Sequence, residues 1–239
     1  MARGQGTKSS GSSKIGDGGV RRQTERVRTA RRRKIGSTQW LQRQLNDPYV
    51  QEARKDGYRS RAAYKLRQID EKFKLLKPGI IVVDLGAAPG GWTQIAVEKV
   101  LPEMSGGKVI GFDINEIAPI EGATILQGDL FDKKIPEKLC ILISGRANGV
   151  LSDMAAAATG HSQTDHLRTM ALAEEALRFA CDILIDGGFF VVKILQGADE
   201  PILFSSMRMC FGKVRRYKPA ASRSDSREIY IIGTQFKGS

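Results

Sequence analysis

Apolar residues along this chain gather in short runs, and between the runs they recur at every third or fourth position. The run at Ile80–Val83 predicts a strand, and strand signals recur at Lys108–Phe112, Ala123–Leu126, Gly149–Ser152, Phe189–Ile194, Lys213–Tyr217 and Ile229–Gly233. Uninterrupted apolar character is what a parallel strand covered on both faces requires. Helices are predicted at Trp92–Leu101, Pro136–Cys140, Asp165–Ile185 and Pro201–Cys210. The longest carries Met170, Ala173, Leu177, Ala180 and Leu184 at helical spacing and is expected to close at Gly187-Gly188. Upstream, Ser60 to Phe73 puts Ala62, Leu66, Ile69 and Phe73 on one helical face, and Pro78-Gly79 ends it. Asp47 and Pro48 fit the N-cap and first turn of a short helix, and a further helical segment spans Ser37 to Leu45. Alternating strand and helix predicts an α/β protein, a doubly wound, Rossmann-like sheet of seven mostly parallel strands. No helix separates the last two strands, so they are expected to pair antiparallel at one edge.

The run at Ile80–Val83 leads into Asp84-Leu-Gly-Ala-Ala-Pro-Gly-Gly-Trp92. A strand, a glycine-rich turn and a helix start form a ligand crevice at the carboxyl end of a parallel sheet. A dinucleotide turn has Gly-x-Gly-x-x-Gly. The spacing Gly-x-x-x-Gly-Gly, with a proline inside, suits a ligand without phosphate, with adenosine and amino-acid ends: S-adenosylmethionine. An ordinary glycine-rich connection is the plainer alternative. Asp84, Asp113, Asp129 and Asp153 each fall at or just beyond a predicted strand end, and are expected along the ligand edge. Asp113 would meet a ribose and Asp129 an adenine amino group. Any one of them alone could be a helix N-cap.

Two lysines and a glutamate stand in unusual surroundings. Lys193 ends the run Phe189-Phe-Val-Val192, where burial is costly unless the charge is paired or lost. Desolvation beside a sulfonium would favour the neutral amine, which can serve as a base. Glu228 enters a strand within Ser226-Arg-Glu-Ile-Tyr230, and Lys65 borders the apolar face of its helix.

Charge then adds a partner. The chain carries a formal charge of +12, and residues 1–38 hold eleven Lys and Arg against Asp17 and Glu25. That segment is rich in Gly and Ser and too poor in apolar residues to fold alone, so 1–38 is expected to be a disordered basic arm ahead of a domain at 39–239. Such an arm fits a polyanion, nucleic acid first, with a solubilising tail or an organellar presequence as alternatives. Cys140, Cys181 and Cys210 lack metal-ligand or disulfide spacing, His161 and His166 suggest no metal pair, and no run is long enough to span a membrane. These features suggest a cytoplasmic, metal-free monomer.

Several stretches, in this order and spacing, resemble the FtsJ-like family of RNA ribose 2′-O-methyltransferases. They are Gly57-Tyr-Arg-Ser-Arg-Ala-Ala-Tyr-Lys-Leu66, Val83 to Trp92, Leu126-Gln-Gly-Asp129, Ser152-Asp-Met154, Phe190-Val-Val-Lys193 through Gln196-Gly197, and Lys218-Pro219 through Ser222-Arg223 to Tyr230. The resemblance implies an S-adenosylmethionine-dependent methyltransferase fold acting on a uridine ribose of large-subunit (23S) ribosomal RNA, free or in the subunit. It implies a catalytic tetrad of Lys65, Asp153, Lys193 and Glu228, with Lys193 as proton acceptor. Gly90, Trp92, Asp113, Asp129 and Asp153 match the family's cofactor contacts, to which Gly86 and Gly91 of the turn are added. Arg59, Arg61, Arg215, Arg216, Lys218, Arg223 and Arg227, beside Lys213, are expected to grip RNA phosphates. Ala155-Ala-Ala-Ala158 stands where the family commonly has Pro and Asn. Transfer RNA, a messenger cap, or a ribosome-assembly role with incidental methylation are the alternatives.

Overall fold

The computed structural model describes residues 41, 42, 44–156, 159–197 and 200–238. The basic arm expected over 1–38 lies outside the described residues, as do Ala157 and Ala158. The chain divides into two units between Asn46 and Asp47. In the first, residues 41, 42 and 44–46 are helical, as expected from the sequence.

The second unit opens with α1 (Pro48–Asp56), capped as the sequence predicts: the Asp47 side chain accepts from the Tyr49 amide at 3.1 Å. There follow α2 (Ala62–Phe73), β1 (Ile81–Leu85), α3 (Gly91–Val100), α4 (Pro102–Ser105), β2 (Lys108–Asp113) and β3 (Thr124–Gln127). Then come α5 (Ile135–Ile143), β4 (Ala147–Ser152), α6 (Ser162–Ile183), β5 (Leu184–Leu195), α7 (Glu200–Cys210), β6 (Phe211–Tyr217) and β7 (Glu228–Phe236). All seven predicted strands form one sheet in the order β3-β2-β1-β4-β5-β7-β6. The pairs from β3 through β5 are parallel, while β7 runs antiparallel to both β5 and β6. The expected closing hairpin is present, with its second strand inserted beside β5.

Alternate residues of each strand feed two cores. Phe190 and Phe211 pack with Leu139, Phe179 and Met207 of α5, α6 and α7 on one face. Val191, Tyr230 and Ile232 pack with Leu66, Ile69, Trp92 and Ile95 of α2 and α3 on the other. Gly149 of β4 makes room for this: a Cβ there would stand 2.0 Å from Phe189 Cζ.

One boundary differs from expectation. The Gly187-Gly188 pair does not close the long helix, which ends at Ile183 and passes directly into β5. Leu184 pairs with Ala147, the chain bulges, and regular pairing resumes at Gly149 with Phe189. The bulge needs a left-handed residue, which Gly187 supplies at φ 79° without a Cβ penalty.

Candidate active site

The parallel strands end together, and above them lies a cavity of about 580 Å³, within the range of small-molecule sites. Its lining includes Gly86 and Ala88 after β1, Asp113 at the end of β2, Asp129 beyond β3, and Asp153 and Met154 beyond β4. Asp113 is rigidly held: it accepts from the Ala88 amide at 2.9 Å and from the amide and side chain of Asn115 at 2.8 and 2.9 Å. Asp129 accepts from the Phe131 amide through Oδ1 at 3.0 Å and is otherwise exposed. Half-exposed Ile114 and Phe131 add apolar wall between these carboxylates. Two fixed carboxylates flanking an apolar slot suit the hydroxyls, amino group and flat ring of an adenosine.

Beside the cavity stands a connected set of charges. Antiparallel register places Lys193 of β5 opposite Tyr230 of β7, with Glu228 two residues away on the same face. Lys193 is 6% exposed; its Nζ lies 3.0 Å from Asp153 Oδ1 and donates to the Asp153 carbonyl at 2.5 Å. The fully buried Tyr230 hydroxyl donates to the same Oδ1 at 2.8 Å. Lys65, one turn into α2, pairs with Glu228 at 3.1 Å and lies 5.8 Å from the Tyr230 ring centre. The structure thus brings Lys65, Asp153, Lys193 and Glu228 together, and Asp153 alone of the four also lines the cavity. Burial raises the Asp153 carboxyl, but the charges of Lys193 and Lys65 and the hydrogen bonds from Lys193 and Tyr230 outweigh it and hold the group below its ordinary value. Burial, with the nearby charge of Asp153, pushes Tyr230 far above the usual phenol value, so it serves as a donor.

Asp84 does not join the ligand edge. It lies inside β1, fully buried, below the cavity, and its Oδ2 accepts from the Thr93 hydroxyl at 2.7 Å. Its second oxygen has no partner among the described residues. Burial raises its pKa to about 7, against the hydrogen bond from Thr93 and with help from the charges of Asp153 and Asp113. A carboxyl that holds its proton longer folded than unfolded favours the folded state fully below its unfolded pKa, and that contribution is lost as pH rises through about 7. Wild-type melting temperature should therefore fall between pH 5 and pH 8, and Asp84→Asn should flatten that fall. Equal slopes for the two proteins in a pH series of thermal melts would contradict the assignment.

The turn is closely packed by other segments of the protein. Gly86, at φ 77°, faces Met154, whose Cγ would stand 2.6 Å from an added Cβ. Gly90, at φ 118°, would meet Ile120 at 2.6 Å, and Gly91 would meet Ser60 Oγ at 2.4 Å. Trp92 is buried at 2% exposure, packs against Tyr230 with ring centres 5.5 Å apart and tilted by 34°, and donates its indole N–H to the Ala62 carbonyl. Of the expected cofactor residues, Gly86, Asp113, Asp129 and Asp153 line the cavity, and Gly90, Gly91 and Trp92 follow in the same turn and the start of α3.

Most of the expected phosphate grips make contacts within the protein. Arg59 donates to the carbonyls of Pro89, Ala118 and Pro119, tying the segment before α2 to the loop beyond β2. Arg61 pairs with Asp47 at 2.8 Å and donates to the Ala221 carbonyl, while Arg223 lies 3.4 Å from the same carboxylate. Arg216 pairs with Glu200 and lies 4.0 Å over the Phe204 ring. Lys218 donates to the Ser224 and Ser226 carbonyls, and Arg227 to that of Gln196. Arg215 is exposed on β6. The sequence reading missed Tyr230 and the cavity-lining Arg168. Tyr230 was findable, because two-residue alternation puts it on the face of Glu228; Arg168 sits on a helix face that nothing local distinguishes. Among the described residues no cluster of His, Cys, Asp and Glu could hold a metal, and no helix is long and apolar enough to cross a membrane.

Comparison with known proteins bears on this geometry. The chain is 56% identical over 224 residues to a ribosomal RNA large subunit methyltransferase E of Paramagnetospirillum magneticum, covering 93% of this chain and 92% of the relative. It is 51% identical over 234 residues to the protein of the same name from Parvibaculum lavamentivorans, covering 95% and 92%. In structure it is similar to a Plasmodium falciparum protein whose name assigns it to the ribosomal RNA methyltransferases, with TM-score 0.68 and 30% identity, covering 76% of this chain and 100% of that one. The family model for FtsJ-like methyltransferases matches residues 58–236, from the segment before α2 to the end of β7. The chain belongs to the FtsJ-like methyltransferase family.

Proposed function

We propose that this methyltransferase moves a methyl group from S-adenosylmethionine to the 2′-oxygen of a uridine ribose in large-subunit (23S) ribosomal RNA. The observation that carries the reading is Asp153, which lines the adenosine-sized cavity and also accepts from Lys193 and Tyr230. A group bound in the cavity and a group held against Lys193 therefore meet at one carboxylate. The names of the relatives, large-subunit ribosomal RNA methyltransferases, support that substrate over transfer or messenger RNA.

The residues fit the cofactor. Asp113 and Asp129 would hold the ribose hydroxyls and adenine amino group, and the sulfonium would lie toward the Asp153 carboxylate. When bound, S-adenosylmethionine supplies the electrophilic methyl. A ribose hydroxyl is a weak nucleophile and must lose its proton as the new bond forms. Lys193 accepts that proton, and general-base assistance of this kind contributes ~10²–10⁴ in rate. Asp153 and Tyr230 fix the amine, while the Lys65–Glu228 pair borders the ribose and keeps a second cation out of water. In this reading residues 39–239 are the catalytic domain and 1–38 an RNA-binding arm.

The test is transfer of labelled methyl from S-adenosylmethionine to large-subunit RNA taken from cells lacking this protein. The label should map to one uridine ribose and vanish when that nucleotide is 2′-deoxy. Label on a base, or retained on the deoxy substrate, would overturn the proposal.

A further inference from the structure

The cations around the catalytic edge are largely engaged by carbonyls, Asp47 and Glu200, whereas a group at the opposite edge of the sheet is not. There the loop between α2 and β1, the bulge of β5 and the β6–β7 ladder enclose a second cavity of about 360 Å³. Lys74, Lys77 and Lys213 stand on its rim, all exposed. No carboxylate among the described residues lies within ion-pair distance of the three. Asp186 is the single acidic residue of the lining. The floor is bare main chain at Gly187 and Gly188, where a Cβ on Gly188 would meet the Ile185 carbonyl at 2.8 Å. Phe73 and Phe189 add apolar wall, and exposed Arg215 continues the positive charge along β6.

We propose that this basal groove is a second RNA-binding surface, where Lys74, Lys77 and Lys213 hold phosphodiesters of the substrate RNA remote from the nucleotide being methylated. Converging unpaired ammonium groups in a concave site concentrate positive potential, and a polyanion is its complement. The partner is RNA because the catalytic edge of the same sheet handles RNA; this step rests on the proposed function. Gly188 and Lys193 are separated by five residues of β5, a rise of ~17 Å. A trinucleotide seated at Lys193 reaches only one stacked nucleotide, ~3.4 Å, to either side and does not reach the groove, whereas a folded ribosomal domain does. The groove therefore selects large structured substrates.

The experiment compares the full-length protein with the triple variant Lys74→Ala, Lys77→Ala, Lys213→Ala. Binding to large-subunit ribosomal RNA is measured across a salt series, with binding to a trinucleotide centred on the target uridine in parallel. The variant should bind the long RNA roughly tenfold more weakly, with a salt slope shallower by about two to three. Oligonucleotide affinity, S-adenosylmethionine affinity and the single-turnover rate at saturating RNA should not change. Identical affinity and slope for the long RNA would overturn the groove assignment alone, provided the wild type methylates that RNA. A wild type that neither binds nor methylates it would overturn the underlying function as well.

Discussion

Lys193→Ala is expected to slow methyl transfer by ~10²–10⁴-fold while S-adenosylmethionine binding is unchanged. The separation follows from position: Lys193 stands against Asp153 but is not part of the cavity lining. Loss of a purely structural ion pair could mimic the first half of this result, so Lys193→Arg decides between roles. Arginine restores a cation beside Asp153 yet does not give up its proton. If Lys193 only balances charge, Lys193→Arg should recover much of the rate; if it accepts the hydroxyl proton, the arginine variant should be as slow as the alanine one. Single-turnover transfer and calorimetric cofactor titration on both variants are the measurements. Full activity in either one would remove Lys193 from the chemistry.

Tyr230→Ala should be the most destabilising change at the site. The side chain is fully buried between Trp92 and the Lys65–Glu228 pair, in the core under α2 and α3. Emptying an aromatic site of that kind costs ~3–5 kcal/mol, a fall in melting temperature of roughly 10 °C for a chain of this size. It also removes the donor to Asp153, leaving that carboxylate with Lys193 as its side-chain partner. Tyr230→Phe separates the two effects. The ring still packs against Trp92, so most stability should remain, while the loss of a hydrogen bond to a charged group costs about 1.5–3 kcal/mol and loosens the carboxylate that orients Lys193. A melting temperature for Tyr230→Ala equal to that of the wild type would contradict the packing described.

The order and kind of the elements were legible because their causes are local. Phe189-Phe-Val-Val192 can only be a doubly covered strand, and Asp47-Pro48 can only start a helix in this setting. Lys193 stood out for the same reason, as a charge where its neighbours exclude water. What was not legible depends on residues far apart in sequence. Gly187-Gly188 reads as a helix stop, yet tertiary pairing of Leu184 with Ala147 ends the helix earlier and uses the glycines in a bulge. At Gly90, Gly91 and Trp92 the sequence shows a tight glycine turn but not which segments of the protein approach it. Here Ser60, Ile120, Arg59 and the Ala62 carbonyl make the approach. For Arg59, Arg61 and Lys218 the sequence shows the positive charge but not the carbonyls to which each donates.

The insertion of β7 between β5 and β6 has a consequence for incomplete copies of the protein. A copy cut short before Glu228 keeps the cavity walls contributed by the first four strands, but it leaves the hydrogen-bonding flanks of β5 and β6 both unzipped. Such open flanks recruit strands from other molecules. Damaged or prematurely stopped copies should therefore clump and be cleared, so that they do not persist as competitors that hold the methyl donor without using it.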